Sequence, residues 1–285
     1  MRGRKFHFPN IIADAIRSRA IAMLCIVVAG SSAGCLSPTA RFNQHAEKQG
    51  MERRSQGSLV LYQKGQPVDG EPIHIYLDGD GTPSPGRGRV SLDPTSRERL
   101  ILRLIAVDPS ASVLVGRPCY YGGEGECDPA LWTGARYSQA VVDQLAGAIN
   151  AVIAGVPGSA VVLIGYSGGG TLAMLAAPLL TRLDTVVTIA ANLDTEAWIE
   201  HHGYSPLSGS LNPATSAPLP ARIRQVHLFG EMDENVPAQL ARRTIERQSG
   251  AVVEIIPGFG HRCCWPDIWA SKIADISGPA RAATD

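Results

Sequence analysis

Apolar residues recur along this chain in short blocks with two kinds of spacing. Some blocks are continuous or alternate in twos, as β-strands do. These are Ser58 to Gln63, Ile73-His74-Ile75-Tyr76-Leu77, Ser112-Val113-Leu114-Val115, residues 160–165, Thr185 to Ala190, Val226 to Phe229 and Val252 to Ile256. Between them lie longer stretches with helical spacing. Tyr137 to Ala154 carries Val141, Leu145, Ile149, Val152 and Ile153 on one face, and a second helix is expected from Pro94 to Val107. Gly170 to Ala177, Pro237 to Gln248 and Pro266 to Ile276 complete the helical set, the middle one with proline in its first turn. Strand and helix alternate almost throughout, which predicts an α/β fold: a doubly wound, mostly parallel sheet flanked by helices.

Three stretches break the rhythm. Residues 36–57 are polar and read as a linker ahead of a domain spanning 58–276, and 277–285 read as a tail. Residues 193–222 hold Pro206, Pro213, Pro218 and Pro220 among several serines. They are expected to run as an excursion over the working end of the sheet.

Composition narrows the function classes. The chain has 285 residues, 45% of them hydrophobic, and a formal net charge of zero. That is enough apolar material for a full core. It also argues against nucleic acid as a partner, which calls for a basic face. At the N-terminus, Arg2, Arg4, Lys5, Arg17 and Arg19 precede an apolar run from Ala20 to Ala29, followed by Gly30-Ser31-Ser32-Ala33-Gly34-Cys35. A basic start, a short apolar run and small residues form an export signal over residues 1–35. Ala33-Gly34-Cys35 also resembles the end of a bacterial lipobox, making Cys35 a lipidation candidate. An ordinary cleavage near Ala33 and an uncleaved anchor are the other readings. The expected location is the cell envelope, lipid-anchored or periplasmic, with secretion as the alternative.

Export permits disulfides. Cys119, Cys127, Cys263 and Cys264 would remain beyond the signal and Cys35. Cys119 and Cys127 share one glycine-rich loop and make the simplest pair. Cys263 and Cys264 are adjacent and read equally well as a bridge or as two free thiols. No C-x-x-C occurs, so a zinc site is not expected.

The segment richest in chemistry is Gly165-Tyr166-Ser167-Gly168-Gly169, between a strand and a helix. G-x-S-x-G in that setting is a nucleophile elbow. Its tight turn holds the serine hydroxyl clear of the sheet, and the helix beyond it aims unpaired N–H groups at developing negative charge. A serine needs a base, and the base needs an orienting acid, in the chain order Ser, Asp or Glu, His. Among His201, His202, His227 and His261, the last follows the final strand within Gly258-Phe259-Gly260-His261 and is the expected base. Asp233 follows the strand at 226–229 and is the expected acid, with Asp194 as its rival and a helix cap as its plainer role. Gly168 and the loop Asp78-Gly79-Asp80-Gly81 should supply the oxyanion donors, the second from Asp80 or Gly81. Tyr120, Tyr121 and Trp132 either line a pocket or pack a long loop.

Together Gly165-Tyr166-Ser167-Gly168-Gly169, Asp233 in a Gly-x-x-Asp-x-x-Val-Pro setting and His261 resemble the α/β-hydrolase superfamily over roughly residues 58–276. Gly116-Arg117-Pro118-Cys119 and Cys263-Cys264-Trp265 resemble segments of a group of bacterial envelope α/β-hydrolases. The loop at Asp78 departs from the His-Gly-Gly-Gly of many lipases. The resemblance implies a serine hydrolase acting on an ester, thioester or amide of a small acyl compound, with no metal or cofactor. An acyltransferase or peptidase on the same scaffold and a non-catalytic envelope lipoprotein are the alternatives.

Overall fold

In the computed structural model, residues 36–86 and 88–278 are described. The segment expected to be an export signal, the lipidation candidate Cys35 and residues 279–285 lie outside the described residues. Eight strands form one sheet: β1 (Glu52–Gln56), β2 (Leu59–Lys64), β3 (Ile73–Leu77), β4 (Ser112–Val115), β5 (Val161–Tyr166), β6 (Thr185–Ile189), β7 (Arg224–Gly230) and β8 (Val252–Ile256). Their order is β1-β2-β4-β3-β5-β6-β7-β8. Strand β2 runs antiparallel to both its neighbours, and every pairing from β4 to β8 is parallel. This is the doubly wound, mostly parallel sheet expected from the pattern.

Side-chain alternation divides the core between the two faces. Within β3, Ile73, Ile75 and Leu77 join one apolar cluster, while Tyr76 joins the other. The first face is covered by α3 (Gln139–Ala154) and α4 (Gly168–Ala176), through residues such as Leu145, Ile149 and Leu172. The second is covered by α1 (Pro38–Lys48), α2 (Leu100–Val107) and α7 (Trp265–Ser277), through Phe42, Leu104 and Trp269. The central strands β3, β4, β5 and β6 are buried end to end. The edge strand β1 turns Arg53 and Arg54 to solvent, which discourages pairing with a further strand.

Several elements differ from the sequence pattern. The polar stretch 36–57 is not a linker over its length. It holds α1 and β1, and Phe42 is fully buried against Tyr62 and Tyr121, with ring centroids 5.4 and 4.3 Å away. Two buried residues, Phe42 and Ala46, are too few to create a visible period in an otherwise polar helix. The helix expected from Pro94 begins only at Leu100, because 93–98 form a loop in which Asp93 binds Thr39 and Thr95. The helix expected over 237–248 is a 3₁₀ turn, Ala238–Ala241, followed by the short α6, Arg242–Ile245. The proline-rich excursion contains a true helix, α5, Thr195–His202. Among the described residues, no helix is long and apolar enough to cross a membrane.

Candidate active site

The elbow is built from backbone that other residues cannot adopt cheaply. Ser167 has φ 51° and ψ −123°, a strained region for a non-glycine residue. Its neighbours have to be small. A β-carbon at Gly165 would overlap Gly169 and Gly170 of the oncoming helix, and one at Gly169 would overlap the Leu77 carbonyl of β3. The Ser167 amide bonds to the Ile189 carbonyl at 2.9 Å, tying the turn to β6.

Base and acid arrive from the loops after β8 and β7. His261 Nε2 is 3.1 Å from Ser167 Oγ, and its Nδ1 is 2.8 Å from Asp233 Oδ2. A carboxylate only accepts, so Nδ1 carries the proton and Nε2 offers its lone pair to the serine. Asp233 is buried. Its other oxygen accepts the amides of Asn235 at 2.9 Å and Val236 at 2.8 Å, so it caps a turn while holding the imidazole. The two loops are stitched together by Met232 N–H donating to the Phe259 carbonyl at 2.8 Å. The His261 carbonyl is held by the Tyr166 hydroxyl at 3.1 Å and Trp265 Nε1 at 3.2 Å.

The rival residues are engaged elsewhere. Asp194 caps α5, accepting the amides of Glu196 and Ala197 and the Asn212 side chain. His227 is buried inside β7, with its Nδ1 2.8 Å from Thr188 Oγ1. Burial lowers its pKa to about 4. His201 and His202 lie on α5, where His202 Nε2 donates to the Asn235 carbonyl at 2.8 Å.

The loop after β3 lies beside the serine. A β-carbon at Gly79 would come within 3.3 Å of the Ser167 β-carbon. Gly79 N–H is consumed by Asp78 Oδ1 at 2.8 Å. Among the described residues, no hydrogen bond is found for the N–H of Asp80, Gly81 or Gly168. Asp80 abuts Gly168, whereas Gly81 packs against Pro94, Ser96 and Tyr120, which favours Asp80 over Gly81 as the second donor.

Two carboxyls of this loop are held in opposite ways. Burial pushes Asp78 up to about 6, although the Tyr121 hydroxyl and the Gly79 amide donate to it. Burial also acts upward on Asp80, but Arg136 and Arg117 outweigh it and hold that carboxyl well below the usual range. Arg117 Nη1 is 2.6 Å from Asp80 Oδ1, while Arg136 Nη1 and the Tyr137 hydroxyl are 2.9 and 2.7 Å from Oδ2.

A cleft of about 470 Å³ opens over these groups, lined by Gly79, Asp80, Ser167, His261, Asn235 and Trp198 among others. Arg262 and Glu98 form an ion pair, 2.7 Å apart, among its lining residues. Two further open depressions, of about 660 and 670 Å³, do not contain the serine, although Asp233 lines the second. Tyr120, Tyr121 and Trp132 are buried and do not line the cleft; they pack the loop over 116–137. That loop is bridged by Cys119 and Cys127, with Cα atoms 5.6 Å apart, and Cys263 is paired with Cys264.

Sequence reasoning passed over Arg136, Tyr137, Asn235 and Tyr166. Tyr166 is the first variable residue of the pentapeptide itself, and Asn235 lies two residues after Asp233. The Asn235 amide nitrogen is 3.1 Å from His261 Nε2. No local signal marks Arg136, which acts only once the chain brings Asp80 to it.

No protein-family model matches the chain, and no curated protein matches it in sequence. Solved structures do match. A protein of unknown function from Agrobacterium tumefaciens, a candidate alpha/beta hydrolase, superimposes with a TM-score of 0.53 at 16% identity, covering 79% of this chain and 94% of that one. Mouse alpha/beta hydrolase domain-containing protein 10 gives 0.52 at 17%, covering 79% and 97%. A bacterial membrane phospholipase A, described as a virulence factor, gives 0.51 at 14%, covering 90% and 94%. At such identities the likeness establishes the fold, and the chain has the α/β-hydrolase fold.

Proposed function

We propose that this protein is a serine hydrolase that cleaves a carboxylic ester, thioester or amide through an acyl-enzyme. The observation that carries this reading is the unbroken relay from Ser167 Oγ to His261 to Asp233, at the floor of an open cleft. Ser167 Oγ attacks the carbonyl carbon while His261 Nε2 takes its proton. The C–O, C–S or C–N bond then breaks as the imidazolium returns that proton to the departing group. Water repeats the sequence on the acyl-serine and frees the acid. Asp233 holds the imidazole tautomer and stabilises its charged form. The N–H groups of Gly168 and Asp80 receive the oxyanion, each donor contributing on the order of 3 kcal/mol to the transition state. No step calls for a metal or cofactor.

An active-site-directed fluorophosphonate tests this reading. The wild type is expected to be labelled at Ser167 and to hydrolyse p-nitrophenyl esters, while Ser167→Ala is folded, unlabelled and slower by at least roughly a thousandfold. Failure of the folded wild type to react removes the hydrolase reading in favour of a non-catalytic lipoprotein. Esters and peptides run side by side, with alcohols competing against water, separate esterase from peptidase and acyltransferase. The fold hosts all three, so the fold itself does not choose.

The N-terminal residues support export and a lipid anchor at Cys35 in a bacterial envelope. Expressed with its leader, the protein is expected in the membrane fraction, and Cys35→Ala is expected to release it. Unchanged partitioning would remove the anchor.

A further inference from the structure

We propose that Arg117 is a positioning residue for the oxyanion hole, acting through the Gly79–Asp80 peptide. This rests on the hydrolase reading and adds to it a device built from the two loops whose sequences are most distinctive. The carbonyl of Gly79 and the N–H of Asp80 belong to one amide plane, and among the described residues no peptide bond is cis. In a trans amide the C=O and N–H point in opposite directions, so fixing one aims the other. Arg117 Nη1 donates to the Gly79 carbonyl at 3.3 Å. The Asp80 N–H is thereby directed away from the guanidinium, and among the described residues it has no partner.

Everything around that peptide is pinned from the segment 117–137. Arg117 Nη1 also grips Asp80 Oδ1 at 2.6 Å, and the Tyr120 hydroxyl donates to the Asp80 carbonyl at 2.9 Å. Arg136 and Tyr137 hold the other carboxylate oxygen. Arg117 Nη2 donates to the Arg136 carbonyl at 2.8 Å, closing the loop onto itself. The Arg117 guanidinium is buried, 5.3 and 5.6 Å from the ring centres of Tyr120 and Tyr137.

Two physical consequences follow. A guanidinium cannot deprotonate in this setting, and a cation donating to a carbonyl polarises that amide and strengthens its N–H as a donor. Two guanidinium groups against Asp80 also neutralise a carboxylate that would otherwise stand unpaired beside the place where the oxyanion forms. A buried ion pair is a poor means of stabilising a fold, since an apolar packing of equal volume generally does as well. An arginine this deep, holding both the carboxylate of Asp80 and the carbonyl before it, fits a preorganised donor better than a structural brace.

Steady-state kinetics of the full chain test the proposal on Arg117→Ala and Arg117→Lys, with phenylboronic acid as a tetrahedral-adduct probe. Arg117→Ala is expected to lower kcat about 100-fold, the scale of losing one well-aimed oxyanion donor, with KM within about threefold. Arg117→Lys, which keeps the charge but not the fork, is expected to fall between. Boronate affinity should weaken in step with kcat/KM. Folded variants with kcat within about threefold of wild type, or a loss carried wholly by KM with boronate affinity unchanged, overturn the role of Arg117. If Arg117→Ala does not fold, Arg117→Lys decides by the same criteria. A wild type that takes up no fluorophosphonate fails at the hydrolase reading instead, whereas a labelled, active wild type with unaffected variants fails here alone.

Discussion

Among the described residues, two Ser–His–Asp relays stand at opposite ends of one sheet. At the carboxyl ends of the strands, Ser167, His261 and Asp233 are linked at 3.1 and 2.8 Å. At the amino ends, Ser277 Oγ lies 2.7 Å from His74 Nε2, and His74 Nδ1 lies 2.6 Å from Asp108 Oδ2. By distance alone the second relay is the better made. What separates them is the surroundings. Ser167 stands on a strained turn, beside unpartnered N–H groups and under a cleft. Ser277 ends an ordinary helix, and the groups behind it are sealed: His74 and Asp108 are buried. Asp108 also accepts from the Tyr76 hydroxyl and the Ser110 amide, while Trp269 Nε1 donates to Tyr76 at 2.8 Å. The bonds of that relay join α7 and the loop after α2 to β3. A relay becomes a catalyst only where its nucleophile opens onto a cleft and the charge it creates has somewhere to go.

The contrast breaks most sharply at the two carboxylates. Asp233→Asn is expected to lower kcat on the order of 10⁴-fold by presenting the wrong imidazole tautomer, with the protein still folded. Asp108→Asn should do the reverse: a loss of roughly 3–5 kcal/mol in denaturant unfolding, with near wild-type turnover per folded molecule. Lost turnover in folded Asp108→Asn would mean that the amino-end relay also serves catalysis.

His227 sharpens the comparison, since it is a buried histidine with no carboxylate. Its pKa falls from 6.5 to about 4 on folding. The unfolded chain therefore binds the proton first, and the stability present above pH 6.5 is lost as pH drops toward 4, by roughly 3 kcal/mol. Asp78, raised from 3.8 to about 6, works in the opposite sense, so that stability falls as pH rises through that window. Unfolding measured from pH 7.5 to 4 should show a shallower acid limb in His227→Gln than in the wild type. An identical limb would assign acid lability to other groups. The smallest effect belongs to Ser277→Ala, about 1 kcal/mol of stability with turnover unchanged.

Much of this was legible in the chain itself. The apolar blocks identified strands β2 to β8 and the class of sheet; the central strands are legible because a buried parallel strand has to be apolar along its length. Ser167 was legible because only glycines fit around its turn, and Asp233 and His261 because each follows a strand in the expected order. The helix α1 was not legible, since a segment anchored by Phe42 and Ala46 carries too little apolar period to betray its burial. Nor was the amino-end relay, whose members lie 34 and 203 residues apart in sequence.

Local backbone chemistry therefore determined the strands, the elbow and the identity of its candidate partners. Only the tertiary structure decided which relay lies under a cleft, which of Asp80 and Gly81 stands against the elbow, and that Arg117 and Arg136 converge on Asp80. Turns and strands are set by residues a few positions apart, so they leave a local trace. Burial and ion pairing depend on which distant segments the sheet brings together, and no short stretch of sequence records that.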